Sequence, residues 1–265
     1  MTTSKWLRLA WQGAVRYGLL NGDRIAICDG DPYRGAAPVG VEVALGEVTV
    51  LPPCVPAKFI GLWNNYRALA EKLGQSIPAE PLYFLKATSS LLGVGGVIRQ
   101  PRGYRGRVAY EGELGIVVGC RCANVDVTEA AQCILGYTCI NDVTALDVLH
   151  RDPSFAQWTR AKSFDTFGVC GPVIATGLDP LALTVKTRVA GRERQNYATA
   201  DMIFTPVEIV SRLSFDMTLE PGDLIACGTS LGVLPMKPGT AVEVEIDGIG
   251  VLHNRFEADA EDAKQ

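Results

Sequence analysis

The chain has 265 residues, of which 48% are hydrophobic and 20% are charged, and its formal net charge is −4. These values are typical of a globular protein that buries a large core without disulfides, and they exclude a disordered chain. The mild acidic excess argues against a nucleic-acid partner, and no apolar run reaches the roughly 18–20 residues that span a bilayer.

The eight cysteines and two histidines restrict the kinds of metal site. There is no CxxC pair, and the spacing of Cys120-Arg-Cys122 does not suit a zinc knuckle. His150 and His253 lie far apart in the sequence, so we expect any metal to be bound by oxygen ligands. Arg8 and Arg16 interrupt the apolar residues near the N-terminus, which predicts a cytoplasmic protein with reduced thiols and no signal peptide.

The first elements along the chain are strands. Residues 14–28 predict a hairpin through Asn21-Gly22-Asp23, because Asn-Gly is a strong signal for a tight turn. The proline-rich residues 51–56 predict a stiff linker. We therefore predict a small N-terminal β module, a main catalytic domain and a short tail, at residues 1–55, 56–258 and 259–265.

The main domain alternates short helices with strands. Two capping boxes predict helix starts at Asp126–Glu129 and at Thr205–Glu208, the second with Pro206 in the first turn. The predicted helices span 65–73, 126–135, 144–149 and 205–215, and the predicted strands include 82–85, 110–119, 137–140 and 241–247. Turns at Pro-Gly pairs separate the last β segments. The predicted class is α+β with β dominant.

Glu111 and Glu113 are the most informative residues in this pattern. In a strand they point to the same face, roughly 6.5–7 Å apart. At an effective dielectric near 20, two carboxylates at that distance repel by about 2.5 kcal/mol. The rest of the strand is apolar on both faces, which favours a metal or catalytic pair, although a polar strand end is the alternative.

A second Glu-x-Glu pattern in the same chain serves as a control. In residues 241–247, valine and isoleucine alternate strictly with Glu243, Glu245 and Asp247. This alternation predicts a half-buried strand with an acidic face in water, and Asp247-Gly248 predicts the following turn.

Asp142 and Lys162 could complete a site with the first pair. Asp142 follows a predicted strand, where it is either a helix N-cap or a third ligand for Mg²⁺ or Mn²⁺. Lys162, if it is not simply solvated, could bind an anionic substrate or stabilise an oxyanion. Thr229, within Gly228-Thr-Ser-Leu-Gly232, could present a hydroxyl and an N–H to a carboxylate, but the segment is a weak phosphate-loop signal.

The order of several motifs resembles the fumarylacetoacetate hydrolase family over residues from about 56 to 256. The motifs are Phe59-Ile-Gly-Leu-Trp-Asn-Asn-Tyr66, Phe84-Leu-Lys86, Tyr110-Glu-Gly-Glu113, Gly136-Tyr-Thr-Cys-Ile-Asn-Asp142, Arg160-Ala-Lys162 and Gly228-Thr-Ser-Leu-Gly232. The resemblance implies a mixed β-roll core, usually in a homodimer, and a small-molecule 2-oxo or 2,4-dioxo acid substrate.

The resemblance also implies roles for individual residues. Glu111, Glu113 and Asp142 would hold Mg²⁺ or Mn²⁺, and Lys162 would be the active-site lysine. Thr229 would help hold the substrate carboxylate. The remaining candidates for substrate binding are Lys86, Tyr110, Gln195 and Gly228.

One departure from the family pattern concerns water activation. Many members carry a His–Glu dyad on the helix after the Asn-Tyr motif, whereas this segment has no histidine and keeps only Glu71 as a candidate general base. The first hypothesis is C–C hydrolysis of a 2,4-dioxo acid, although the missing histidine favours the alternative. An isomerase or decarboxylase using the same enolate is the alternative, and an inactive binding protein is a third.

Overall fold

The computed structural model describes residues 3–258, and strands dominate them. The strands are β1 (Ser4–Trp11), β2 (Ala14–Asn21), β3 (Arg24–Asp29), β4 (Ala37–Ala44), β5 (Thr49–Val50), β6 (Phe59–Trp63), β7 (Leu82–Lys86), β8 (Leu91–Leu92), β9 (Val97–Arg99), β10 (Val108–Ala109), β11 (Gly112–Val118), β12 (Ile134–Asp142), β13 (Thr144–Ala145), β14 (Gly168–Thr176), β15 (Thr184–Val189), β16 (Arg192–Ala198), β17 (Leu224–Ala226), β18 (Thr240–Ile246) and β19 (Gly250–Glu257). The α-helices are α1 (Arg67–Leu73), α2 (Val127–Cys133), α3 (Leu146–Leu149), α4 (Trp158–Lys162) and α5 (Pro206–Asp216). The predicted α+β class is confirmed. The predicted tail at 259–265 lies outside the described residues.

A large sheet and a smaller one form the core. The large sheet has the order β4-β3-β2-β1-β14-β12-β11-β17-β6-β7, with β5 beside β1 and β8 beside β14. The smaller sheet has the order β16-β15-β18-β19-β9. Strands β15, β18 and β19 contact the central strands β11, β12 and β14, so the core lies where the two sheets meet. All seven residues of β11 are buried there, as its apolar pattern predicted.

The N-terminal strands extend the large sheet. The predicted hairpin is present as β2 and β3, with Asn21 paired to Arg24 and Gly22 at a positive φ of 60°. Strand β1 pairs antiparallel with β14, in the register that places Ser4 opposite Thr176. The division of the chain near residue 55 stays a prediction about domain boundaries.

The two capping boxes form as predicted. The Glu129 N–H donates to Asp126 Oδ1 at 2.9 Å, and the Asp126 N–H donates to Glu129 Oε2 at 3.0 Å. The Thr205 N–H donates to Glu208 Oε2 at 2.8 Å in the second box. Helix α2 nevertheless ends at Cys133, before the predicted residue 135, because Ile134 begins β12 and pairs with Val118.

The helix predicted over residues 144–149 is wrong in its first turn. Thr144 and Ala145 form β13, which pairs with β10, and α3 begins only at Leu146. Asp142 is the last residue of β12, and the N-cap of α3 is Ala145. Sheet pairing has replaced the local helix signal here, and it leaves the Asp142 carboxylate free for other contacts.

No helix among residues 3–258 combines the length and the apolar character needed to cross a lipid bilayer.

Candidate metal centre and active site

Antiparallel pairing of β11 and β12 brings the three predicted carboxylates together. Gly112 lies opposite Asn141, and the Asp142 N–H donates to the Glu111 carbonyl oxygen at 2.8 Å. Each of Glu111, Glu113 and Asp142 offers one oxygen, and these oxygens all lie within 4.8 Å of one another. The sheet register therefore gathers groups that are about thirty residues apart in the sequence.

The carboxylates are unequally buried and unequally paired. Glu113 and Asp142 are each 1% exposed. Glu113 Oε2 accepts a hydrogen bond from the Gly228 N–H at 2.7 Å, whereas Glu113 Oε1 has no hydrogen-bond partner among residues 3–258. A buried carboxylate oxygen without a partner is costly, so this atom calls for a cation or a proton.

Two buried lysines face the carboxylates. Lys162 Nζ lies 2.5 Å from Asp142 Oδ2 and 3.0 Å from Glu111 Oε2. Lys86, at the end of β7, donates to Asp142 Oδ1. Three carboxylates and two ammonium groups leave one negative charge in excess when all are ionised. The cluster therefore keeps a net attraction for a cation.

Burial and the lysines shift the pKa values in opposite directions. Burial raises the pKa of Glu113 well above its usual range, and the nearby Asp142 carboxylate adds to the effect. Burial also acts to raise the pKa of Asp142, but Lys162 and Lys86 outweigh it and lower that pKa. Glu113 is therefore the member of the pair that holds a proton more readily when no cation is bound.

The lysines themselves differ. Burial lowers the pKa of Lys86. Burial acts in the same direction on Lys162, but the carboxylates of Asp142 and Glu111 outweigh it and raise its pKa. Lys162 therefore remains a firmly charged ammonium group beside two carboxylates.

Gln195 and Thr229 hold the peptide between the two glutamates. The Gly112 N–H donates to Gln195 Oε1 at 2.9 Å, and the Thr229 hydroxyl donates to the Gly112 carbonyl oxygen at 3.0 Å. Gln195 Nε2 donates in turn to the Thr229 hydroxyl at 2.8 Å. This closed set of bonds fixes Gly112, and with it the positions from which Glu111 and Glu113 project.

The cluster adjoins a cavity of about 480 Å³. Three polar side chains line it at the cluster: Glu111, Thr144 and Thr229. The Thr144 hydroxyl donates to Glu111 Oε1 at 2.6 Å. The remaining lining residues are Trp63, Leu69, Lys72, Leu73, Gln75, Leu146, Leu149, His150, Trp158, Leu231, Gly232 and Val233. A small molecule that enters this cavity meets the carboxylate cluster through Glu111.

Comparison with known proteins identifies the family of this chain. The model of the fumarylacetoacetate (FAA) hydrolase C-terminal domain matches residues 58–257, and an Rv2993c-like N-terminal model matches residues 4–53. The chain belongs to the fumarylacetoacetate hydrolase family. The family predicted from the sequence motifs is thus confirmed.

Three members illustrate the range of this fumarylacetoacetate hydrolase family. An uncharacterised protein of Archaeoglobus fulgidus is 48% identical over 215 residues, which cover 81% of this chain and 84% of the relative. The crystal structure of 2-hydroxyhepta-2,4-diene-1,7-dioate isomerase from Mycobacterium marinum is similar at a TM-score of 0.89 and 35% identity, covering 97% of this chain and 99% of that one. Maleylpyruvate hydrolase from Sphingobium sp. SYK-6, in complex with manganese (II) ion and pyruvate, is similar at a TM-score of 0.77 and 26% identity, covering 96% of this chain and 99% of that one. The family thus includes both isomerases and hydrolases.

The structure does not bring every predicted residue to the cavity. Glu71 is exposed on α1 and is not among the residues that line the cavity. Tyr110 and Gln195 are each 1% exposed and lie behind the lining, and the Tyr110 hydroxyl donates to the Gly232 carbonyl oxygen at 2.7 Å. The Gly228 N–H is already used by Glu113.

Other residues at the site were not singled out by the sequence. The Asn141 side-chain oxygen accepts a hydrogen bond from the Glu111 N–H at 3.0 Å, and the Thr144 hydroxyl donates one to the Glu111 carboxylate. Both lie within two residues of Asp142 in Asn-Asp-Val-Thr. Their closeness to a candidate ligand was the one signal that could have predicted their role. His150 and the two tryptophans of the cavity carried no such signal, because only the fold places them near Glu111.

Proposed function

We propose that this protein is a divalent-metal-dependent enzyme that stabilises the enolate of a 2,4-dioxo acid and hydrolyses a C–C bond of the acylpyruvate type. The observation that carries the proposal is the buried trio of Glu111, Glu113 and Asp142 with Lys162 beside it. Glu111, the most exposed member of the trio, lines a cavity large enough for a small organic acid.

The residues suit Mg²⁺ or Mn²⁺. All three donors are carboxylates, which these hard cations prefer, and the unpartnered Glu113 Oε1 supplies a free acceptor. A dication held there would supply Lewis-acid polarisation of the substrate's 2-oxo group.

Lys162 has the clearest chemical role. When water adds to the 4-oxo carbon and the C3–C4 bond breaks, the electron pair moves toward the 2-oxo oxygen to form an enolate. The Lys162 ammonium, already charged and fixed by Asp142 and Glu111, provides positive charge close to that oxygen. A proton at C3 then completes the 2-oxo acid product.

Thr229 and a general base could act on the substrate only after a change of conformation or from another residue. Thr229 lines the cavity, but its hydroxyl proton is donated to Gly112, so binding a substrate carboxylate requires that hydroxyl to turn. Glu71 is exposed on α1, whose Leu69 and Lys72 already line the cavity, so α1 would have to turn before Glu71 could activate water. His150 already lines the cavity and is the second candidate for the base.

An isomerase or decarboxylase that uses the same enolate is the second candidate function. The similarity to the Mycobacterium marinum isomerase and the position of Glu71 outside the cavity lining favour it. Neither reaction needs an activated water, because the enolate is reprotonated elsewhere or formed by loss of carbon dioxide. We also propose that the protein is a homodimer, as the family resemblance implies, and that it is cytoplasmic, in keeping with its free cysteines.

A turnover assay with purified protein and Mn²⁺ or Mg²⁺ tests the proposal. We expect loss of the diketo absorbance of an acylpyruvate, and we expect kcat to fall by about 10²–10³ in Lys162→Met, as for loss of one oxyanion donor. Lys186→Met is the matched control, because Lys186 only pairs with the exposed Asp247 at 3.8 Å.

Two outcomes would contradict hydrolysis. Stable diketo absorbance together with turnover of a 2-hydroxydienoate or of oxaloacetate would establish the second candidate. No turnover of any 2-oxo acid, with either ion, would leave a binding protein.

A further inference from the structure

The cavity is polar where it meets the carboxylate cluster, at Glu111, Thr144 and Thr229, and largely apolar elsewhere. Trp63 and Trp158 contact each other with ring centroids 4.7 Å apart, and Phe84 stacks on Trp158 at 5.6 Å with an interplanar angle of 14°. Both tryptophans line the cavity. They form an aromatic wall that is supported by packing, because the Trp158 ring contacts both Trp63 and Phe84.

Aliphatic side chains complete the walls. Leu146 and Leu149, from α3, and Leu69, from α1, line the same cavity. Leu149 is only 6% exposed, so it is held in place by the core as well. A ligand that reaches beyond Glu111 therefore leaves the carboxylates and enters a space bounded by indole rings and leucines.

Positive charge is poorly placed to bind a second carboxylate there. The buried ammonium groups of Lys86 and Lys162 are both taken up by the carboxylate cluster. The cations among the lining residues are Lys72 and, when protonated, His150, and both are exposed. Ion pairs with exposed cations are screened by water and contribute little.

We infer that the distal substituent of the substrate, beyond its 2-oxo acid group, is an uncharged apolar chain or ring, and that Leu146 and Leu149 select it. Each buried methylene then strengthens binding about fourfold until the cavity is full. A carboxylate in the same position loses its hydration without gaining a buried cation. This inference rests on the proposed function only in placing the 2-oxo acid end at the carboxylate cluster.

A binding experiment tests the inference without requiring turnover. In the presence of Mn²⁺, 2-oxooctanoate and 2-oxooctanedioate are titrated against the whole protein, and quenching of tryptophan fluorescence is followed. The two ligands have equal chain length and differ only in a terminal methyl or carboxylate group. We expect the monocarboxylate to bind at least about tenfold more tightly, because its terminal methyl group gains from burial whereas the second carboxylate loses hydration.

A variant sharpens the test. Leu146→Arg should remove the preference or reverse it, because the new guanidinium can pair with the terminal carboxylate inside the cavity. Leu181→Arg is the matched control: Leu181 is 38% exposed and is not a lining residue, so the ratio of the two affinities should not change. Equal or tighter binding of the dioate by the unmodified protein would overturn the inference, whether or not Leu146→Arg folds.

The same pair of chains distinguishes this inference from the proposed function. Turnover of 2,4-dioxooctanoate and 2,4-dioxooctanedioate is measured beside the binding series. If neither is cleaved but the apolar ligand binds more tightly, hydrolysis is wrong and the apolar site stands. If both are cleaved and the dioate is preferred, hydrolysis stands and the apolar site is wrong.

Discussion

Glu111 and Glu113 have the same spacing in the sequence as Glu243 and Glu245, yet the two pairs meet different environments. Glu113 is 1% exposed, and burial raises its pKa well above the usual range. The Glu245 side chain is 25% exposed and pairs with Arg188 on β15, whose side chain is 35% exposed. Spacing alone therefore cannot identify a metal site.

The difference comes from what lies opposite each strand. Strand β18 presents Glu243 and Glu245 to solvent between β15 and β19, and its valines and Ile246 are buried on the other face. The start of β11 lies beside the end of β12, and this register adds Asp142. The two lysines come from other elements, Lys86 from β7 and Lys162 from α4. A buried acidic pair needs such cations, whereas a hydrated pair does not.

Removal of Asp142 should give the largest effect on stability. In metal-free buffer, Asp142→Asn leaves the buried ammonium groups of Lys86 and Lys162 without their shared carboxylate. We expect the free energy of unfolding to fall by about 3–5 kcal/mol, as for other broken buried ion pairs. Urea unfolding followed by circular dichroism measures it. Asp247→Asn, at an exposed position just after β18, is the control. A loss below about 1 kcal/mol at Asp142 would refute the paired arrangement.

Removal of the Glu113 charge should weaken cation binding, whereas removal of the corresponding charge in the second Glu-x-Glu pattern should not. Glu113→Gln keeps the side-chain volume and an acceptor for the Gly228 N–H, but it removes the free anionic oxygen. We expect Mn²⁺ affinity, measured by calorimetry, to fall at least about 100-fold, beyond the 10–100-fold cost of losing an outer-sphere partner.

Glu243→Gln is the matched control for that measurement, because it removes the equivalent charge from β18. Its Mn²⁺ affinity should equal that of the unmodified protein. If Glu113→Gln also binds Mn²⁺ normally, the three carboxylates do not form the metal site.

Glu245→Gln should have the smallest effect. It breaks an ion pair with Arg188 in which both side chains remain accessible to water. Exposed pairs contribute about 0–1 kcal/mol, and salt screens them further. Thermal unfolding at low and high ionic strength provides the measurement. A cost above about 2 kcal/mol, insensitive to salt, would mean that β18 is less hydrated than its alternating pattern indicates.

Local sequence patterns predicted a large part of the fold. The capping boxes at Asp126 and Thr205 open α2 and α5, and the Asn-Gly turn connects β2 to β3. These features form because their hydrogen bonds join residues within a few positions of each other. The helix start at residue 144 was wrong, since β13 instead pairs with β10, which lies more than thirty residues earlier.

The candidate site was likewise predictable where local sequence determines it and not where the packing of distant elements does. The apolar residues after Glu113 indicated burial, and the order of motifs indicated the family and the three carboxylates. The roles of Tyr110, Gln195 and Glu71 could not be separated in this way. Whether these side chains reach the cavity depends on how β16, α1 and the segment between β10 and β11 pack. Packing of this kind cannot be predicted from a short segment of sequence.

The sequence by itself determined the two helix starts with capping boxes, the β2–β3 hairpin, the acidic residues able to hold a hard cation, and the family. The tertiary structure decided that Lys86 and Lys162 share Asp142, that Gln195 and Thr229 hold Gly112, and that indole rings and leucines line the cavity. The physical reason is how far apart in the sequence the interacting residues lie. Capping, turns and alternation act between near neighbours, whereas burial, ion pairing and cavity shape depend on which distant strands the sheet places side by side.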